Sequence, residues 1–203
     1  MTHILMHYTT NWNKITEITI PILQEYADRH GYRLSVMELL PYEKYNGIPK
    51  LSQILSVLEE GDVALVLDAD AVITNHRIFI EPFLGNKHDI YLSEGMNMGV
   101  FIIRLTNFTR KVLQFLINGI SKGDYHCEQD GMEYLLKEAN IGDSVKIVPH
   151  PCFNSYLSEL YPEVPQPVTE QQGQWKIGSY ILHLPALSID KRVEILKSTP
   201  IKR

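Results

Sequence analysis

Apolar and polar positions alternate in a regular order over the first 70 residues. Unbroken apolar runs of about four to eight residues are typical of strands buried in parallel sheets, whereas apolar residues three or four apart mark one helix face. Ile15, Ile18 and Ile22 have the helical spacing, and Pro21 indicates a kink in that helix or its start. The pattern predicts strand, helix, strand, helix and strand over residues 4–8, 15–30, 32–37, 49–60 and 63–67.

The second half of the chain has a less regular pattern. Asn107 is a candidate helix cap, and Pro149 ends an apolar run. Predicted strands cover residues 89–92, 98–105, 145–148 and 180–184, predicted helices begin near 107, 128 and 188, and predicted loops cover 41–47 and 161–174. This order indicates one α/β domain over residues 1–203, with a central sheet that is mixed, mostly parallel and flanked by helices.

Two aspartates directly follow the most apolar predicted strand. The run from Val63 to Leu67 ends at Asp68 and Asp70, and in parallel sheets ligands bind beyond the carboxyl ends of the strands. The two carboxylates converge if the strand continues or turns between them, because residues two apart face the same side. A divalent cation such as Mn²⁺ or Mg²⁺ relieves their mutual repulsion. The alternative is a pair of solvated loop aspartates that cap a helix.

Composition and charge narrow the class of protein. With 203 residues, 44% of them hydrophobic, the chain is long enough for one globular core. A net charge of −5 gives no indication of a nucleic-acid partner, and no apolar run reaches the roughly 18–20 residues of a membrane span. The N-terminus lacks a signal-peptide pattern, and Cys127 and Cys152 lack C-x-x-C spacing. We expect a cytoplasmic protein with free thiols, with a site thiol at Cys152 as the alternative.

Three further positions are candidates for the same site. Gly99 indicates a close approach to a ligand or another strand, although a strand-entry turn explains it equally well. The segment Glu128-Gln129-Asp130 opens a predicted helix, where acidic residues also stabilise the helix dipole. His183 lies in an apolar strand, either as a buried core residue or as a third metal ligand beside Asp68 and Asp70.

Five segments, taken in order, carry a resemblance to a known family. They are Leu67-Asp68-Ala69-Asp70-Ala71-Val72-Ile73-Thr74-Asn75, Asn97-Met98-Gly99-Val100-Phe101-Ile102-Ile103-Arg104, Glu128-Gln129-Asp130, Phe153-Asn154-Ser155-Tyr156 and Leu182-His183-Leu184. The chain resembles metal-dependent glycosyltransferases of the GT-A fold, mostly the group with xyloglucan xylosyltransferases and fungal α-galactosyl- and α-mannosyltransferases. It resembles the glycogenin-like retaining enzymes more distantly. The family usually has small residues after the histidine, whereas this chain has Leu184-Pro185-Ala186.

The resemblance implies a Rossmann-like GT-A domain that is an enzyme. Residues 1–70 or so would form the nucleotide-binding half, and about 71–203 the acceptor-side half. The implied reaction is metal-dependent transfer of a sugar from a UDP- or GDP-sugar to a hydroxyl of a saccharide or glycoside, with retention of anomeric configuration. Family members of the secretory pathway carry an N-terminal membrane anchor, whereas this sequence starts at its first predicted strand.

The resemblance also implies roles for individual residues. Asp70 and His183 would hold Mn²⁺ or Mg²⁺, with Asp68 as a further ligand or a ribose contact. Lys50 would contact phosphate or ribose, unless it is an ordinary surface lysine. The nucleobase and ribose would lie against Tyr8, Thr9 and Thr10, the donor sugar along Asn97 and Gly99, and the anomeric carbon and acceptor beside Gln129 and Asp130.

The acceptor and the nucleophile are less defined. No covalent protein nucleophile is expected, because the resembled group is generally described by same-face attack guided by the leaving phosphate. Tyr42, Tyr45, Trp175 and the 161–174 loop shape an acceptor site if sugars stack on them, or else are surface aromatics or core anchors.

Two other functions fit parts of the sequence. A haloacid-dehalogenase-type phosphatase also places a D-x-D motif after a strand, but after its first strand and with a later acidic pair that this chain lacks. A non-catalytic module that binds nucleotide sugars or glycans would keep the same fold without turnover.

Overall fold

The computed structural model describes residues 1–39, 47–139, 141–157 and 173–203. Its strands are β1 Thr2–Thr9, β2 Arg33–Leu39, β3 Val63–Asp68, β4 Ala71–Ile73, β5 Ile90–Ser93, β6 Val100–Arg104, β7 Val145–Val148 and β8 Ile181–His183. Its helices are α1 Asn13–His30, α2 Ile48–Val57, α3 Asn107–Lys122, α4 Glu128–Glu138, α5 His150–Phe153 and α6 Ile189–Ser198. Short 3-10 turns cover Thr10–Trp12, Glu81–Phe83, Glu94–Met96 and Ile141–Ser144.

Six strands form the central sheet in the order β2-β1-β3-β6-β5-β7. The pairs β1–β2, β1–β3 and β5–β7 are parallel, whereas β6 is antiparallel to both of its neighbours. A single reversed strand therefore makes the sheet mixed but mostly parallel. The predicted α/β class and sheet type are confirmed.

The alternation along β3 explains how helices cover both faces of the sheet. Ala64 and Val66 pack with α2, α3 and α4, whereas Val63, Leu65 and Leu67 pack with α1 and with β4 and β8. Residues 63–67 are all buried, as an unbroken apolar run in a central strand requires. Asp68 is thus the first polar residue that β3 presents, at its carboxyl end.

The structure differs from the predicted elements at α1, α3, β4 and α5. Helix α1 begins eight residues before Pro21 and runs through it, so Pro21 does not mark the start. Thr106, not Asn107, caps α3, because its hydroxyl accepts from the Thr109 backbone N–H at 3.3 Å. The strand β4 and the short α5 have no predicted counterpart. The predicted loops at 41–47 and 161–174, with Tyr42 and Tyr45, lie almost wholly outside the described residues.

The small second sheet decides where the functional residues meet. Strand β4 follows β3 after a two-residue turn and pairs antiparallel with β8, with Ala71 opposite His183. The last residue of β8 therefore lies beside the turn that carries Asp70. A residue more than a hundred positions away in sequence is brought to the carboxyl end of β3.

Candidate active site

Asp68, Asp70 and His183 form a cluster at the carboxyl end of β3. One ligand atom from each residue lies within 4.8 Å of the others. The side chains of Asp70 and His183 are almost fully buried, whereas that of Asp68 is 29% exposed. His183 Nε2 lies 3.5 Å from Asp70 Oδ1. The cluster therefore has one open side, and that side faces solvent through Asp68.

The ring of His183 is held in one orientation by Asn154. Asn154 Oδ1 lies 2.9 Å from His183 Nδ1, and the Asn154 amide nitrogen donates to Ser93 Oγ at 2.9 Å. Because the amide nitrogen has its own acceptor, the amide oxygen is left to accept from the ring. This assigns the proton to Nδ1 and leaves the Nε2 lone pair directed at the carboxylates, as a metal-binding histidine requires.

Gly99 leaves the space in which the cluster forms. A Cβ at this position would lie 2.5 Å from His183 Cε1, 2.8 Å from Asn97 Oδ1 and 2.9 Å from Asp68 Oδ2. Its backbone N–H donates to Asn97 Oδ1 at 2.7 Å, and its carbonyl accepts from the Asp68 N–H at 2.7 Å. The predicted close approach at Gly99 therefore involves the side chains of the site.

Lys50 lies under the cluster rather than on the surface. Its side chain is 1% exposed, and Nζ lies 2.8 Å from Asp68 Oδ1 and 2.7 Å from Glu128 Oε1. It also donates to the Met98 carbonyl at 2.8 Å. Burial alone would raise the pKa of Asp68, but the Lys50 ammonium, with the His7 and His183 rings, lowers it far below its ordinary value. Asp68 therefore stays ionised.

Arg192 of α6 pairs with the second aspartate. Its Nε lies 3.0 Å from Asp70 Oδ2 and donates to the Leu184 carbonyl at 2.8 Å. The guanidinium carbon lies 4.5 Å from the centre of the Trp12 ring, within the range of a cation–π contact. Each aspartate of the cluster thus has its own buried cation.

A cavity of about 380 Å³ opens above the cluster. Of the predicted site residues, its lining contains Tyr8, Thr9, Asp68, Asp70, Asn97, Gly99, Gln129 and His183. Its wall also includes Trp12, Cys127, Glu128 and Arg192. The volume falls in the range of small-molecule sites in proteins.

The structure places three predicted site residues outside the cavity wall. Thr10 is exposed, in the 3-10 turn after β1. Asp130 is also exposed, and its carboxylate accepts from the His126 backbone N–H at 3.2 Å, in the ordinary manner of a helix start. Lys50 does not line the cavity, but it contacts Asp68 and Glu128 of the cavity wall. Trp175 donates to Thr74 Oγ1 at 3.0 Å and packs against the α1, α6 and β8 cluster, as a core anchor does.

The sequence did not predict the roles of three side chains in the site, which are the charged groups of Arg192 and Glu128 and the ring of His7. His7, whose Nε2 lies 3.4 Å from Asp68 Oδ1, is a histidine in an apolar strand, which is the signal that identified His183. Arg192 lies in an ordinary amphipathic helix and carries no comparable signal. The Glu128 carboxylate belonged to a predicted segment, but its pairing with Lys50 was not predicted.

The residues of the cluster fit a divalent cation. Two carboxylate oxygens and one imidazole nitrogen converge, and this set suits Mn²⁺ or Mg²⁺ better than a soft metal. The space among them exists because residue 99 has no side chain. Lys50 and Arg192 offset much of the negative charge of Asp68 and Asp70, so a further anionic ligand would strengthen the binding of the ion.

Several solved structures with a similar fold are glycosyltransferases. One involved in the glycosylation of the major capsid of PBCV-1 superposes with a TM-score of 0.73 over 97% of this chain and 98% of its own, at 14% identity. The galactosyltransferase LgtC, solved with donor and acceptor sugar analogues, matches with a TM-score of 0.61 and 14% identity. The match covers 97% of this chain and 96% of the LgtC chain. The glycosyltransferase GlyE of Streptococcus pneumoniae TIGR4 matches with a TM-score of 0.59 and 13% identity. The match covers 96% of this chain and 59% of the GlyE chain.

These likenesses define the fold of the chain as the GT-A fold of glycosyltransferases. The fold expected from the resemblance is confirmed, whereas the narrower group of xylosyl-, galactosyl- and mannosyltransferases stays a prediction. No protein-family model matches the chain, and no curated protein matches its sequence. Among the described residues, no helix combines the length and hydropathy that a bilayer crossing needs.

Proposed function

We propose that the protein transfers a sugar from a UDP- or GDP-sugar to a hydroxyl of a saccharide or glycoside, with retention of anomeric configuration. The observation that carries this proposal is the convergence of Asp68, Asp70 and His183 under a 380 Å³ cavity at the carboxyl end of a GT-A sheet. The solved complex of LgtC with donor and acceptor sugar analogues supports the same substrate classes.

The central chemical problem is departure of a nucleoside diphosphate as the glycosidic bond breaks. Asp68, Asp70 and His183 would hold a divalent cation, which would supply positive charge that stabilises this leaving group. The complex of a Drosophila β1,4-galactosyltransferase 7 mutant with manganese and UDP-Gal supports Mn²⁺ as the first ion to test. Asn154 contributes by holding the His183 ring with Nε2 directed at the Asp70 carboxylate.

Retention is proposed without a covalent nucleophile of the protein. Each of the three carboxylates in the described part of the cavity wall is ion-paired. Asp68 and Glu128 pair with Lys50, and Asp70 pairs with Arg192. We therefore assign the attack to the acceptor oxygen, on the face from which the diphosphate departs. The bond from the anomeric carbon to the acceptor forms as the bond to phosphate breaks, and the acceptor proton passes to the departing phosphate oxygen.

We assign the other predicted residues to parts of the donor and acceptor. Tyr8 and Thr9, at the end of β1, would contact the nucleobase and ribose, and Asn97 and Gln129 would offer neutral amides to sugar hydroxyls. We also propose the division into a nucleotide-binding half, about residues 1–70, and an acceptor-side half, about residues 71–203. Thr10 and Asp130 lie outside the cavity wall and receive no role in this path, whereas Lys50 acts through its contacts with Asp68 and Glu128.

Donor hydrolysis across a panel of UDP- and GDP-sugars tests the proposal. We expect one donor to be cleaved with Mn²⁺ and not with EDTA, and the Asp70→Asn variant to lose about a hundredfold or more of that rate. Asparagine keeps the shape of Asp70 and still accepts from Arg192. Asp143→Asn, at an exposed carboxylate, is the matched control.

Each contrary result has a defined meaning. Binding of a nucleoside diphosphate and Mn²⁺ without cleavage of any donor, with or without acceptor glycans, would show a non-catalytic binding module. Full cleavage by Asp70→Asn would contradict the metal site.

A further inference from the structure

Three aromatic side chains form a cluster on the surface where α3 packs against α4. The ring centroids of Phe115, Tyr125 and Tyr134 lie between 5.6 and 6.4 Å apart, and the rings of Phe115 and Tyr134 are nearly parallel, at 11°. Phe115 is 41% exposed and Tyr134 is 45% exposed. We call these three side chains the aromatic platform. Contiguous exposed apolar side chains commonly mark an interaction site.

Two glycines, one on each helix, make room for the third ring of the platform. A Cβ at Gly119 of α3 would lie 2.4 Å from Tyr125 Cε2, and a Cβ at Gly131 of α4 would lie 3.1 Å from Tyr125 Cδ2. The Tyr125 ring therefore lies in the groove between the helices, where it also contacts both exposed rings. Rings that are held in place before binding lose less conformational entropy when a ligand binds.

The aromatic platform adjoins the cavity at the start of α4. Cys127 and Gln129 line the cavity. Tyr125 precedes Cys127 by two residues, which the chain can span over about 7 Å at most. Tyr134 lies five residues after Gln129 on α4, about 7.5 Å further along the helix axis. A chain-like ligand that leaves the cavity past Cys127 therefore meets the platform within a short distance.

The groups around the rings suit a neutral ligand that is rich in hydroxyls. The face of an aromatic ring is negative and attracts C–H groups, which cover the faces of a sugar ring. Asn118 follows Phe115 by three residues and Asp130 precedes Tyr134 by four, so an exposed amide and an exposed carboxylate lie beside the rings. Both can hydrogen-bond to hydroxyl groups, and the carboxylate disfavours an anionic ligand.

We propose that the aromatic platform is a saccharide-binding site that holds the outer sugars of a glycan chain. The sugars stack on Phe115 and Tyr134, and the end of the chain reaches the cavity past Cys127. That this glycan is the acceptor of the transfer rests on the proposed function. The binding of a saccharide rests on the three rings alone.

An array of short oligosaccharides of glucose, galactose, mannose, xylose and N-acetylglucosamine tests the proposal. It is probed with the full chain, detected through an affinity tag, without nucleotide or divalent ions. We expect wild type to bind at least one oligosaccharide. Titration calorimetry with that oligosaccharide should show about tenfold weaker binding in Phe115→Gln and in Tyr134→Gln. Phe115→Tyr and Tyr134→Phe keep the rings and should bind nearly as wild type does.

Two further variants control for exposure and for the cavity. Phe79 is 51% exposed and its ring contacts that of His30 at 4.6 Å, so Phe79→Gln removes an equally exposed ring from another surface and should leave the affinity unchanged. Asp70→Asn alters the metal cluster and should retain the binding of the oligosaccharide. Circular dichroism verifies folding, and Tyr134→Gln decides the question if Phe115→Gln does not fold.

The outcomes separate this inference from the proposed function. Wild type that binds no oligosaccharide, or equal affinities in wild type and both glutamine variants, would overturn the inference even if wild type transfers sugar. Equal losses in Tyr134→Phe and Tyr134→Gln would also overturn it, because the phenyl ring is kept in the first. A wild-type dimer that Phe115→Gln makes monomeric, without any saccharide binding, would assign the platform to a second copy of the chain. Platform-dependent saccharide binding without cleavage of any donor would support the inference and count against the proposed transferase.

Discussion

The two aspartates of the cluster lie two residues apart, yet they are supported in opposite ways. Asp68 pairs with Lys50, which also binds Glu128 and the Met98 carbonyl and so joins β3 to α2 and α4 inside the protein. Asp70 pairs with Arg192 on the cavity wall. The comparison indicates that the first pair chiefly stabilises the fold and the second chiefly acts on the ligand.

The largest effect on stability is expected from Lys50→Met. It leaves Asp68 and Glu128 together without a cation in a buried site, which costs about 3–5 kcal/mol of unfolding free energy. Chemical denaturation followed by circular dichroism measures this loss. Lys14→Met is the matched control, since Lys14 and its partner Asp190 are exposed. A loss in Lys50→Met no larger than in the control would contradict the structural role of the first pair.

Gly99→Ala acts on Asp68 and His183 at once and should chiefly affect the binding of the ion. The added methyl group meets His183 Cε1 at 2.5 Å and Asp68 Oδ2 at 2.9 Å, so these groups must separate. We expect Mn²⁺ affinity in the presence of nucleotide to fall about a hundredfold, the upper end for disturbed support of a metal ligand. Gly142→Ala, where the methyl group meets nothing within 4 Å, is the control. An unchanged Mn²⁺ affinity in Gly99→Ala would exclude an ion among the side chains of Asp68, Asp70 and His183.

Asn154→Ala tests the support of the third ligand. Without the amide oxygen, nothing fixes the proton on His183 Nδ1, and we expect about tenfold weaker Mn²⁺ binding. Calorimetry measures the affinity, and thermal unfolding reports any general loss of stability. Asn118→Ala, at an exposed position of α3, should change neither. Equal Mn²⁺ affinity in wild type and Asn154→Ala would mean that His183 is not a ligand.

The smallest expected effect is on the stability of the protein at acidic pH. It arises from His76, which belongs to neither the Asp68–Lys50 nor the Asp70–Arg192 pair. Burial lowers the pKa of His76 from 6.5, although Glu25 acts in the opposite direction. The unfolded chain therefore binds a proton before the folded chain does, and stability falls as pH drops below about 6.5, by at most about 1.4 kcal/mol per pH unit.

The measurement for His76 is the unfolding free energy at pH 7.5 and at pH 5.5. We expect His76→Phe to lose less stability than wild type between these values, and His126→Phe, at an exposed histidine, to behave like wild type. The same pH dependence in His76→Phe and wild type would assign the acid sensitivity to other groups, including those at the metal cluster.

The same contrast explains how much the sequence could predict. Asp68 and Asp70 were predictable because an unbroken apolar run, Val63 to Leu67, shows both the strand and its end. His183 was a candidate because a histidine is unusual in an apolar strand. The regular strand and helix alternation predicted that the early strands are parallel, and the β1–β2 and β1–β3 pairs are parallel.

The rest depended on contacts that no local pattern encodes. Arg192 reaches Asp70 only because β4 pairs with β8 and α6 then packs beside α1. Lys50 has the pattern of a surface helix residue, and its burial depends on its contacts with Asp68 of β3, the Met98 carbonyl and Glu128 of α4. A local sequence pattern identified the carboxylates of Asp68 and Asp70. The cations that pair with them, Lys50 and Arg192, are brought there by tertiary contacts.

The number of Mn²⁺ ions bound per chain, measured by electron paramagnetic resonance with saturating UDP or GDP, tests the central claim most directly. The account predicts one tightly bound ion in wild type and in Asp143→Asn. It predicts loss of that ion in Asp70→Asn and in His183→Ala. One ion retained with full affinity in both site variants would contradict the assignment of the metal centre.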